Sequence, residues 1–83
     1  MEEHEFTIYD VVARNIKKYR MIAGITQAQL AESVGLSHEF IRRIESKKGR
    51  KSFTIDTVYK IAVVLNVPVG KFFDIDPIEK DFH

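Results

Sequence analysis

A small all-α bundle is the fold class this chain predicts, and three observations carry the expectation. Apolar residues recur at helical spacing in four separate segments. Three of those segments open on Thr or Ser, and helix ends fall at Gly24, Gly35 and Asn66. No strand is required anywhere to account for the rest. With 83 residues, 45% of them hydrophobic and 30% charged, one compact domain is expected, near the lower size at which a single core sustains folding.

The elements follow in chain order. Val12, Ile16, Tyr19 and Ala23 form one helical stripe and predict a first helix over about 10–23. Gly24 ends it, because glycine takes a positive φ at a C-cap without steric cost. Thr26 and Gln29 have the spacing of a capping box, which opens a second helix over 27–34 that buries Leu30, Ala31 and Val34. Gly35 closes it. Ser37 is the next N-cap, and the third helix runs to about residue 46 with Phe40, Ile41 and Ile44 inward. His38, Glu39, Arg42, Arg43 and Ser46 fall on its opposite side. "KKGRKS" is a loop, since Gly49 and consecutive like charges both disfavour continuation.

Thr54 caps a fourth helix whose inward residues are Ile55, Val58, Ile61, Ala62 and Leu65, with Asp56 in the first turn complementing the helix dipole. After Asn66, Pro68 starts a short fifth helix to about residue 73. The domain plan is therefore an acidic extension over 1–9, a helical domain over 10–74, and a tail over 75–83 whose Ile75, Ile78 and Phe82 can pack on something.

Charge is unevenly spread. The formal net charge is only +1, yet the first ten residues hold four acids and no base, and the last ten hold four acids against Lys80. A net charge of +8 is left for the residues between. Residues 35–51, "GLSHEFIRRIESKKGRK", contain six of the Lys and Arg residues and only two Glu. Such a cluster points to a polyanionic partner. There is no cysteine, so disulfides, thiolate metal sites and thiol nucleophiles are excluded and a cytoplasmic setting is expected. The longest apolar run, "IAVVL", is far short of the roughly 20 residues of a membrane span, and the amino terminus is acidic where a signal peptide is basic. Paired carboxylates in a cleft, a phosphate-binding glycine loop and a serine–histidine–carboxylate set are all missing from the pattern, so no enzyme activity is expected. Neither cofactor nor metal is expected, since His4 and His83 lie in the tails without ligand spacing.

Residues 27–44 make a helix, a tight turn around Gly35 and a second helix, which is the helix-turn-helix arrangement. Two helices crossing at close range need a small contact residue, supplied by Ala31. The reversal needs a residue tolerant of left-handed geometry, supplied by Gly35. Leu30, Val34, Ile41 and Ile44 form the apolar wedge that sets the angle. A free outer face bearing Arg42 and Arg43, with Lys47, Lys48, Arg50 and Lys51 beyond it, suits duplex DNA: side chains for base edges, flanked by cations for phosphates.

"ITQAQLAESVGLSHEFIRRIES", with "KYRMIAG" before it and "TIDTVYKIAVVLNVPVGKFF" after it, closely resembles the lambda-repressor-like helix-turn-helix family of Cro and repressor proteins. The resemblance covers about 12–73. It implies a five-helix DNA-binding domain whose third helix enters the major groove. It gives Gln27 the place of a glutamine that binds a backbone phosphate and braces the start of the recognition helix. His38, Glu39, Arg42 and Arg43 take groove-facing positions. An arginine can pair with guanine O6 and N7, and Glu39 either accepts from cytosine N4 or pairs with Arg42 or Arg43 and holds them in place. Ser37 is both N-cap and phosphate neighbour. Lys47, Lys48, Arg50 and Lys51 are expected at phosphates. In relatives, an arginine late in the first helix pairs with a glutamate that ends the recognition helix, which Arg20 and Glu45 match.

One recognition helix contacts too few base pairs for useful selectivity, so a homodimer on a palindromic double-stranded DNA operator is expected. The residues expected at its interface are Phe72, Phe73, Ile75 and Ile78, with one of the two Phe rings entering the core. No membrane and no small-molecule effector is implied. The competing reading is a DNA-binding antitoxin or restriction-modification controller that also engages a protein partner.

Overall fold

The structure, a computed structural model, describes residues 6–46 and 52–75. Four α-helices are followed by one 3-10 helix: α1 (Ile8–Ala23), α2 (Gln27–Val34), α3 (His38–Glu45), α4 (Ile55–Leu65) and the 3-10 helix Val69–Phe73. The described residues contain no strand, so the all-α class holds. The fifth helix differs in kind, because a five-residue segment held at Pro68 and Asp74 tightens into the 3-10 form common in short pieces.

Backbone chemistry explains the boundaries. Thr26 Oγ1 accepts from the Gln29 amide at 3.0 Å while Gln29 Oε1 accepts from the Thr26 amide at 2.8 Å, a complete capping box. Ser37 and Thr54 cap α3 and α4 by the first of these bonds alone, their hydroxyls accepting from the Phe40 and Thr57 amides. Gly24, Gly35 and Asn66 all take left-handed φ values, of 75°, 76° and 57°. At Gly35 a Cβ would meet nothing within 4 Å, so the demand for glycine there is one of backbone angle and not of space.

α1 starts two residues before the expected boundary. The Asp10 carboxylate turns back and accepts from the Thr7 amide at 2.8 Å and from its hydroxyl at 3.2 Å, so Thr7 is the N-cap and Ile8 and Tyr9 join the first turn.

The core is formed by Val12, Ala13 and Ile16 of α1, Leu30 and Ala31 of α2, Ile41 and Ile44 of α3, Val58, Ile61, Ala62 and Leu65 of α4, and Phe72. Val34 and Phe40 are partly buried against it. Two expected core positions are exposed. Ile55 shares the angular position of Ala62 but lies two turns earlier, where the core has run out, and is 74% exposed. Ala23 sits in the last turn of α1, also past the core.

Phe72 requires a further correction: it was expected at a dimer interface, but it is fully buried and meets the Tyr19 ring edge-on at 5.5 Å. Of the two rings, Phe72 enters the core and Phe73 stays at the surface. The 3-10 helix is pinned to α1 by Asn15, whose Nδ2 donates to the carbonyls of Phe72 at 2.8 Å and Asp74 at 3.0 Å. Asn15→Ala removes both hydrogen bonds, and we expect a loss of about 1–3 kcal/mol in chemical denaturation, because the part-buried Phe72 carbonyl loses its partner while the exposed Asp74 carbonyl turns to water.

Candidate nucleic-acid interface

α2 and α3 pack closely around buried Ala31, Leu30, Ile41 and Ile44, and α3 also rests on α1. With Ile41, Ile44 and Glu45 inward, the 3.6-residue period turns His38, Glu39, Arg42 and Arg43 outward, and all four are exposed. Ser37 lies beside them at the helix start, exposed, with its hydroxyl committed to the Phe40 amide.

Arg42 and Glu39 form an ion pair one turn apart, with both side chains more than half exposed. Of the two expected arrangements of Glu39, the intrahelical one is present. The hydrogen bond and charge of Arg42 hold the Glu39 carboxyl below the usual carboxylate range, with smaller help from Arg43 and His38 against a slight burial cost. The Arg43 side chain makes no hydrogen bond or ion pair among the described residues, so its guanidinium is uncommitted there.

Behind this face lies a polar network joining three helices. Arg20 Nε donates to Glu45 Oε2 at 2.7 Å and Arg20 Nη2 to Glu45 Oε1 at 2.9 Å, a bidentate pair, while Arg20 Nη1 donates to the Ile25 carbonyl at 2.7 Å. Gln27 Nε2 adds a third donor to the carboxylate, at 3.0 Å from Oε1. Gln27 Oε1 lies 3.4 Å from His38 Nε2. Gln27 therefore links both ends of α3, and one of its two amide hydrogens is left for another acceptor. The Glu45 side chain is 1% exposed and that of Arg20 is 11% exposed, and the described residues leave no buried side-chain polar atom without a partner.

The expected site residues thus separate into three groups. Ser37, His38, Glu39, Arg42 and Arg43 share one exposed face, and Gln27, Arg20 and Glu45 brace it from behind. Lys47, Lys48, Arg50 and Lys51 lie outside the described residues, as do Ile78, Phe82 and the tail histidines. Asn15 and the Gln27–Glu45 contact were not foreseen. A lone Asn inside a helix that it does not favour is the signal for the first, whereas the second has none in the local pattern.

Among the described residues no group of three or more His, Cys, Asp or Glu side chains is placed to hold a metal ion, and no helix is long and apolar enough to cross a membrane.

The family described as helix-turn-helix matches residues 16–72. This chain belongs to the XRE-type helix-turn-helix family. It is 36% identical over 64 residues to Control protein C.SmaI of Serratia marcescens, across 77% of this chain and 74% of that protein. It is 33% identical over 66 residues to an uncharacterized HTH-type transcriptional regulator of Sinorhizobium medicae, across 80% of this chain but 46% of that longer protein. Among solved structures, a hypothetical transcription factor, NHTF, from Neisseria aligns with a TM-score of 0.74 at 26% identity, covering 88% of this chain and 79% of the other. SinR, described as the master regulator for biofilm formation and crystallised in complex with DNA, aligns with a TM-score of 0.68 at 28% identity, covering 76% of this chain and 98% of that one. The relatives of this XRE-type chain are thus regulators and control proteins.

Proposed function

We propose that this XRE-type protein is a cytoplasmic, non-enzymatic, sequence-specific double-stranded DNA-binding regulator that acts as a homodimer on a palindromic operator. The observation that carries the reading is the outer face of α3, where His38, Glu39, Arg42 and Arg43 lie together in solvent on a helix whose other side is buried. A helix so placed fits the major groove, where Arg43, whose guanidinium has no partner among the described residues, is the side chain best able to take guanine O6 and N7. Ser37, the second amide hydrogen of Gln27 and the cations at Lys47, Lys48, Arg50 and Lys51 serve phosphates, each cation steepening the salt dependence by roughly 0.9 in log–log slope. The similarity to a control protein favours a controller role as the second reading, in which the same surface binds DNA and another face meets a protein partner.

Selection of bound duplexes from a random library tests this. A palindromic consensus is the expected result, and recovery of unrelated duplexes counts against sequence reading. Arg43→Ala is expected to weaken operator binding by about 1–3 kcal/mol and relax preference at one base position, whereas Lys48→Ala weakens all duplexes alike. An equal loss on matched and scrambled DNA for the Arg43 variant overturns its base-reading role.

A further inference from the structure

An apolar groove of about 340 Å³ opens between the start of α1 and the start of α4, with the buried side chains of Val12 and Val58 at its floor. Ile8, Tyr9, Phe53, Ile55 and Phe73 form its walls. Tyr9 and Phe53 meet edge-on at 5.2 Å and hold it in shape. Ile8, Tyr9, Ile55 and Phe73 are between 38% and 74% exposed, so large apolar side chains are left together in water. A contiguous surface of this kind marks a place where something docks.

The path of the chain and its sequence identify the occupant. The 3-10 helix that brings Phe73 to the groove is tied to α1 by Asn15, which donates to the Asp74 carbonyl at 3.0 Å. Asn15 follows Val12 by three residues and so lies one turn along the same face of α1. The described residues end just beyond this tie, at exposed Ile75. Next in sequence come residues 76–83, "DPIEKDFH". Asp76 and Glu79 have the spacing of a capping box, and Pro77 holds the first helical position between them. At helical period Ile78 and Phe82 share one side, with Lys80 opposite.

We propose that residues 76–83 turn back as a short amphipathic helix and seat Ile78 and Phe82 in the α1–α4 groove of their own chain. A helix so short does not hold itself in water, so its apolar side needs a surface to lie on. As a helix the segment is about 12 Å long, enough to bridge two packed helices whose axes are about 8–10 Å apart. The groove also has the room. A cavity of roughly 150 Å³ accepts a benzene ring, and more than twice that volume accepts two side chains. Direct attachment gives the segment an effective concentration on the order of mM at the groove, an advantage that a free peptide or small molecule lacks. Ile78 thereby serves the fold of its own chain instead of the expected dimer contact. No residue of α3 lines the groove, so the seat does not use the face that carries Arg42 and Arg43.

Nuclear magnetic resonance of the full chain tests the proposal. Overhauser contacts are expected from the Phe82 ring to the side chains of Tyr9, Phe53 or Ile55. Phe82→Asp should remove them, lower Tm by about 4–8 °C and raise the fluorescence of bound ANS severalfold as the groove opens. Circular dichroism should show the four α-helices of the domain intact. Ile55 is exposed, so Ile55→Asp should also fold, and in its background Phe82→Asp should lower Tm by much less, because the two residues share one contact. Absence of the Overhauser contacts, equal ANS binding by wild type and Phe82→Asp, or Tm shifts that simply add each overturn the proposal. In a mixture of labelled and unlabelled chains, contacts found only between copies place a second copy's segment in the groove and overturn docking within one chain.

Discussion

Replacing Glu45 with Ala is expected to lower folding stability by about 3–5 kcal/mol, the usual consequence of breaking a buried ion pair from one side. The carboxylate is the sole anion of a network that receives three donors, two from Arg20 and one from Gln27. Once it is gone, Arg20 keeps only the Ile25 carbonyl, and a guanidinium whose side chain is 11% exposed is left without its counter-charge. A domain of this size has only about 5–15 kcal/mol in total, so the variant should sit near its unfolding threshold at body temperature. Urea unfolding is the measurement: the midpoint falls while the slope is unchanged if the native state alone is affected. The companion variant, in which Arg20 becomes Met and Glu45 becomes Leu together, should recover most of the loss, because the attraction of a buried pair is offset by the desolvation of its members. A loss below about 1 kcal/mol for Glu45→Ala means that α3 is held by its apolar contacts alone.

Phe72→Ala is expected to cost about 3–5 kcal/mol, the range for a fully buried aromatic ring truncated to a methyl group. Phe72 closes the end of the core between α1 and α4, and its contact with Tyr19 disappears with it. Each kcal/mol should lower Tm by about 4–8 °C in a domain of this length. Phe73→Ala is the control, since that ring is 38% exposed and its removal should lower Tm by much less. If the two substitutions lower Tm equally, the division of labour between the adjacent rings is wrong.

Most of the architecture is legible in the sequence because helix ends are local chemistry. Thr26, Ser37 and Thr54 reach backbone amides three residues ahead, and Gly24, Gly35 and Asn66 take left-handed angles, whatever the rest of the fold does. The N-terminus of α1 escapes the same logic because Asp10 looks like a helix boundary when its role as the third residue of a cap is overlooked. Ile55 is illegible for a different reason: periodicity gives the angle of a side chain around its helix but not how far along the axis the core extends. The exposed face of α3 follows from period alone. The brace behind it joins residues as much as 25 positions apart, as in Arg20 to Glu45, and no spacing rule within one helix announces such a contact; resemblance to relatives supplied that pair but not the contact of Gln27 with Glu45.

The direction of the Gln27 amide has a consequence for the imidazole beside it. An ionised carboxylate only accepts, so the amide nitrogen of Gln27 must turn toward Glu45 and its oxygen toward His38. The ring then satisfies that oxygen with hydrogen on Nε2, which in the neutral ring leaves Nδ1 bare. A bare ring nitrogen welcomes the exocyclic amine of adenine or cytosine and repels a phosphate oxygen. Through the Gln27 amide, the carboxylate that ends the third helix thus sets which ring nitrogen the leading residue of that helix shows to solvent.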